Sequence, residues 1–174
     1  ATRYDHYQGF DGSTNFKLAA KWLMSEKIKL RGSVSTGFRA PSMQQLYFNN
    51  ISTQYISAPN QPTSGQIPVQ VNTLNNESPL AQAIGFKKLK EESATNYSLG
   101  TVIEWSDDVN LAIDWYAINI EDRIVISNKI TDGLSPYLSE QLIAHNTEAA
   151  QFFLNGANTE TKGVDVIMTW TPSN

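Results

Sequence analysis

Residues 33–48 read SVSTGFRAPSMQQLYF, and the character of the chain changes in the middle of them. Up to Phe38 the residues alternate like a strand with two unlike faces. From Arg39 on, the chain contains proline, is rich in amides and ends in aromatics. Over 27–38 the even positions are Ile28, Leu30, Gly32, Val34, Thr36 and Phe38, and the odd ones are Lys27, Lys29, Arg31, Ser33, Ser35 and Gly37. One face is apolar and the other carries three cations. Such a strand ends at Phe38 and Arg39 and gives way to a polar loop.

The same period of two recurs on both sides. Phe16, Leu18, Ala20 and Trp22 alternate with Asn15, Lys17 and Lys21; Tyr97, Leu99, Thr101, Ile103 and Trp105 alternate with Asn96, Ser98, Gly100 and Glu104. Val109, Leu111, Ile113 and Trp115 alternate with Asn110, Ala112, Asp114 and Tyr116, after which the apolar phase slips to Ile118, Ile120, Ile124 and Ile126. A period-two strand changes face only where a residue is inserted, so the slip predicts a β-bulge near Ala117. Val164, Val166, Met168 and Trp170 predict a last strand, and 2–8 a weaker first one. The fold class is therefore all-β. Six strands, 2–9, 14–24, 27–38, 93–105, 109–127 and 161–170, are expected in one antiparallel meander with neighbours in chain order.

The connections are unequal. Tight turns are expected near Ser25 and Glu26 and at Ser106, Asp107 and Asp108, whereas 38–92 and 129–160 are long links that gather at one end of the sheet. The first link predicts a helical turn over 79–84 closed by Gly85. The second predicts a helix with Ser135 as N-cap, Pro136 at its first position and Leu138, Leu142 and Ile143 on one side, then another helix over 147–154 ending before Gly156.

Composition narrows the function. Charged residues make up 17% of the 174 residues and the net charge is −4, so nucleic acid is not an expected partner. There is no cysteine, which excludes a disulfide framework and thiolate metal sites. No apolar run approaches the roughly 18 residues of a membrane helix, but barrel strands are too short to register in such a count. His6 and His145 stand apart in sequence and read as solvated or hydrogen-bonded histidines. Glu91–Glu92 and Asp107–Asp108 read as solvated charge at turns, because adjacent strand residues face opposite ways. No nucleophile motif and no metal-loop spacing is present, so neither an enzyme nor a resident cofactor is expected. Periodicity alone leaves two architectures open: a soluble antiparallel sheet with one face on a core, and an outer-membrane barrel.

The segment TGFRAPSMQQLYF at 36–48 resembles the strand-to-loop signature of TonB-dependent outer-membrane receptors. RYDHY at 3–7, LKEESATNYSLG at 89–100, INIEDRIVIS at 118–127 and FFLNGANTETKGVDV at 152–166 are similar to further segments of that family, in the family's order. The resemblance covers most of the chain. It departs at Glu91, where the family usually has proline, and at Ala94, where it often has serine.

The resemblance implies a large barrel of the 22-stranded type. Residues 1–174 would form about six strands of it, with the plug domain and the final strands absent and with 38–92 and 129–160 as extracellular loops. Leu30, Val34, Leu99, Ile103, Leu111 and Ile113 would face lipid, and the charged face the lumen. Trp22, Trp105 and Trp170 would form an interfacial belt at the periplasmic turns. Phe38, Arg39 and Pro41 would form the loop base, with Arg39 tying it to the wall. Tyr47, Phe48 and Tyr55 would meet ligand or pack within the loop. The implied function is energised uptake of a scarce, bulky nutrient such as a ferric siderophore, haem, cobalamin or glycan. The implied partners are outer-membrane lipid, an extracellular small-molecule or chelate ligand, and TonB through an N-terminal plug. A passive porin or adhesin barrel and a soluble carbohydrate-binding sheet are the alternatives. With its apolar face uncovered, the isolated chain is expected to need detergent or to self-associate.

Overall fold

The structure, a computed structural model, describes residues 1–6, 12–57 and 66–172. The chain divides into two units. The first comprises Ala1–Ala40, Glu91–Arg123 and Asn158–Asn174, and the second Pro41–Lys90 and Ile124–Ala157. In the first unit the strands are β1 (Thr2–Asp5), β2 (Ser13–Leu23), β3 (Ile28–Arg39), β6 (Glu92–Ser106), most of β7 (Val109–Ile126) and the C-terminal part of β9 (Ala149–Trp170). They neighbour one another in that order, as the alternation predicts. The pairs β1·β2, β2·β3, β3·β6 and β6·β7 are antiparallel. Residues 7–9 of the expected first strand lie outside the described residues.

Register turns the alternation into two faces. Ile28, Ile103 and Leu111 share one row; Trp22, Leu30, Thr101 and Ile113 the next; Ala20, Gly32, Leu99 and Trp115 a third; Leu18, Val34, Tyr97 and Ala117 a fourth. Beyond these, Thr36 pairs with Thr95 and Thr95 with Asn119, and the face turns polar. From Ile28 to Val34 the apolar rows cover about 20 Å of strand. The opposite face carries Lys29, Arg31, Asn96, Glu104 and Asp114. Gly100 sits between Arg31 and Asp114 in the pairing order. A Cβ at Gly100 would overlap the Asp114 carboxylate and come within 3.1 Å of Arg31 Nε. The glycine is the gap through which a cation on β3 reaches an anion two strands away.

The first unit has no core of its own. Among the described residues its only buried hydrophobic is Ala117, while Leu18, Trp22, Leu99, Val166 and Met168 are each more than three-fifths exposed. A soluble half-sandwich would cover such a face with a second layer.

The second unit is built differently. It holds α1 (Met43–Tyr47), β4 (Asn50–Ser57), β5 (Gln66–Leu74), α2 (Pro79–Ile84), β8 (Ile130–Thr131), α3 (Pro136–Ala144) and the N-terminal part of β9. Leu80 and Ala81 of α2, Leu142 of α3 and Ala150 and Phe152 of β9 form a buried core, against which Leu74, Ile84, Phe86 and Ile130 pack. The Phe86 and Phe152 rings stack at 4.5 Å. Both helices are specified locally. Ser78 caps α2 with Pro79 in its first turn, and Gly85 closes it at φ 95, donating to Ala81 and Gln82. Ser135 caps α3 in the same way with Pro136. Both follow the sequence expectation.

Three expectations are corrected here. The helix expected over 147–154 is strand from Ala149 on, because β9 pairs in parallel with β5 on one side, Val71 with Ala149 to Leu74 with Phe152, and with β8 on the other. Burial on both faces erases the alternation that marks a strand. The link 38–92 also contains the antiparallel hairpin β4·β5, which its amides and Pro68 disguise. Finally, the pairing of β7 with β6 runs unbroken from Glu121 to Asn110, past Ala117, so no bulge interrupts it there. Ile118 and Ile120 stay on the polar face, opposite Asn96 and Ala94. The backbone departs from strand geometry at Asp122, which adopts φ 55.

Replacing Gly100 with alanine should lower the stability of the sheet by about 1–3 kcal/mol, the usual cost of forcing atoms into a filled site. Gly37, whose added Cβ meets nothing within 4 Å, is the control, and Gly37→Ala should be neutral. Equal thermal midpoints for the two variants would show that the approach across Gly100 is not tight.

Candidate functional site

The polar face of the first unit is organised by β3. Its cations each reach a carboxylate on β6 or β7: Lys29 to Glu104, Arg31 to Asp114 and Arg39 to Glu92. Between them Ser33 and Ser98 are hydrogen-bonded at 2.8 Å. The first two pairs are open to solvent, so each adds little to stability by itself. Their consequence is alignment, since each ties β3 to a strand that follows it in the wall.

The third pair stands at the end of the wall. Arg39 is the last residue of β3, and its Nε donates to Glu92 Oε2 at 2.9 Å while Nη2 donates to Oε1. This two-point fork matches guanidinium to carboxylate geometry in a way lysine could not. Glu92 opens β6 and its side chain is only 7% accessible, so the expectation of solvated turn charge is corrected for this residue. The signal was available in its register, directly opposite Arg39. Phe38 precedes the fork on β3. Pro41, which begins the second unit, is buried. Immediately afterwards Ser42 and Gln45 form a reciprocal capping box, with Ser42 N–H donating to Gln45 Oε1 at 2.9 Å and Gln45 N–H to Ser42 Oγ at 3.2 Å. The S-x-x-Q spacing that starts α1 was legible and went unread.

The apolar face has its own order. Trp22 lies beside the 24–27 turn, and Trp105 and Trp170 lie beside the 106–108 turn, where Thr171 N–H donates to Asp108 O at 2.8 Å. A Cβ at Gly163 would meet the Tyr116 ring on the polar face, which puts Val164, Val166, Met168 and Trp170 on the apolar one by alternation. All three tryptophans are more than three-fifths exposed.

The aromatics expected to meet ligand or pack within the loop differ in their surroundings. Phe48 caps α1 and packs edge-on to Phe153 at 6.4 Å. Tyr47 at the end of α1 and Tyr55 on β4, opposite Pro68, are both exposed. His145 caps α3 with its Nδ1 2.9 Å from Gln141 O, and His6 is exposed. Among the described residues no three His, Cys, Asp or Glu side chains gather as a metal site would require.

A sheet with one charged and one uncovered apolar face, tryptophans beside the short turns and a separately cored unit built from the long links has the anatomy of an outer-membrane barrel wall. Residues 1–173 match the family model described as TonB dependent receptor-like, beta-barrel, and the chain belongs to that family, whose members are outer-membrane proteins. No curated protein matches it in sequence. Among solved structures it is similar to the siderophore receptor PirA from Acinetobacter baumannii, with a TM-score of 0.63 and 16% identity over 96% of this chain and 22% of that one. It is also similar to the ferric enterobactin receptor PfeA in complex with BCV-L6, with a TM-score of 0.62 and 16% identity over 95% of this chain and 21% of that one. A PfeA mutant from Pseudomonas aeruginosa matches with a TM-score of 0.58 and 16% identity over 94% and 20% of the two chains. At this identity the likeness is one of fold. The chain spans about a fifth of the length of these structures.

The face assignment has a direct consequence for substitution. Leu111→Arg in the full-length receptor should cost about 2–4 kcal/mol if the site lies near the bilayer midplane, while Asn110→Arg on the opposite face should cost little. Equal losses in chemical denaturation from liposomes would contradict the assignment.

Proposed function

We propose that the chain is part of the barrel of a receptor that takes up a scarce, bulky nutrient across the outer membrane with energy delivered through TonB. The nutrient classes are ferric siderophore, haem, cobalamin and glycan. The observation that carries this reading is the family match over 1–173, which falls on a sheet whose apolar face lacks a core. In this reading Leu30, Val34, Leu99, Ile103, Leu111 and Ile113 contact lipid, and Trp22, Trp105 and Trp170 anchor the periplasmic rim. The Arg39–Glu92 fork holds the base of the extracellular unit, formed from the links 38–92 and 129–160. Tyr47 and Tyr55 remain available to a ligand, whereas Phe48 serves packing. Away from the rest of the barrel the apolar face drives self-association or takes up detergent.

The proposal separates from a passive porin by its energy requirement. Cells expressing the full-length receptor and supplied with radioiron-loaded spent medium from an iron-starved culture should accumulate label, and a TonB-deficient strain should accumulate none above background. Equal accumulation above background in the two strains would make the barrel a passive pore.

A further inference from the structure

The second unit contains a cleft of about 660 Å3 between β5 and α3. Gln70, Asn72, Asp132, Asn146, Thr147 and Glu148 supply most of its polar lining. Leu142, buried in the core, and Ile143, 77% exposed, supply apolar surface on the helix side, and Ile51 does so from β4. Among the described residues no lysine or arginine lines it.

Its walls are fixed before any ligand arrives. Glu148 Oε2 accepts from the Gln70 N–H at 2.8 Å, and Asn72 Nδ2 donates to Thr147 Oγ1 at 3.3 Å, so the two long links are bonded to each other across it. Thr147 Oγ1 in turn donates to His145 O at 3.1 Å. Asn146 takes φ 50, a left-handed conformation that asparagine tolerates better than most residues, and this redirects the chain from α3 into the cleft wall. The shared core and the parallel β5·β9 pair hold both links as one body. A preformed cleft spares the ligand the cost of ordering loops.

The chemistry selects by charge. Two carboxylates and three side-chain amides offer acceptors for O–H and N–H groups, and the amides and Thr147 offer donors to carbonyls. A polyanion would meet Asp132 and Glu148 with no cation in the lining to offset them. We propose that this cleft is a contact site for an uncharged or cationic ligand rich in hydroxyl and amide groups, and that it disfavours polyanionic chelates. The proposal rests on the receptor reading above and narrows its ligand class.

The chain has no cysteine, so Ile143→Cys places one thiol on the cleft's edge. In the full-length receptor, with any other cysteines changed to serine, this thiol should react about fivefold faster with a trimethylammonium thiosulfonate than with its sulfonate counterpart, relative to a free small thiol. Asp132→Asn should cut that preference to about twofold. Ile51→Cys on the β4 side repeats the measurement should the first variant fold poorly. Protection of the thiol is then read with three probes: a neutral ferric tris-hydroxamate, a neutral linear glucan oligosaccharide and a trianionic ferric tris-catecholate. Protection by either neutral probe supports the site and tells chelate from glycan. A charge preference at or below unity, protection by the catecholate alone, or protection by none overturns it. The receptor reading fails independently, through TonB-independent uptake, whatever these rates show.

Discussion

A backbone amide in hydrocarbon has no water to bond, so a chain that crosses a membrane as strands must satisfy every N–H and C=O from the neighbouring strand. The first unit follows from that constraint. Its strands pair antiparallel in chain order over long registers, twelve residue pairs in β3·β6 alone, and with the backbone satisfied the two faces are free to differ. One is apolar over the rows from Ile28 to Val34. The other carries ion pairs that run from β3 to β6 and β7, with Gly100 leaving room for the Arg31–Asp114 contact. Nothing in this unit requires a core, and among its described residues Ala117 is the only buried hydrophobic.

The second unit answers a different constraint. Long links in water must bury apolar side chains to hold a shape, and they do so around Phe152, Leu142 and Leu80. Arg39 and Glu92 mark where the wall gives way to this unit, the one closing β3 and the other opening β6. The opening stretch of sequence thus encodes a strand end, the arginine of a half-buried ion pair and a capped helical turn within a few residues. That density explains why the same short segment carries so much of the family resemblance.

What was legible in the sequence was whatever one face or one cap could specify. The wall strands announce themselves by period two, and Ser78, Pro79 and Gly85 delimit α2 without reference to the rest of the chain. The N-terminal end of β9 was not legible. Ala149, Ala150 and Phe152 are buried, so they read as an apolar run with helical composition. Ile118 and Ile120 misled for the converse reason: isoleucine was taken to mark the lipid side, yet both share the polar face with Asn96 and Ala94. The cleft beside α3 was invisible because its residues come from two links that meet through long-range pairing, the parallel β5·β9 pair among it.

The central claim is that the face bearing Leu111, Ile113 and Trp115 meets lipid while that bearing Asn110, Ala112 and Asp114 meets the lumen. Single cysteines at each position from 110 to 115, labelled with a fluorophore in the full-length receptor and reconstituted with nitroxide lipids, test it most directly. The account predicts strong lipid quenching at 111, 113 and 115 and weak quenching at 110, 112 and 114. Quenching that is uniform along the strand, or that alternates in the opposite phase, would contradict it.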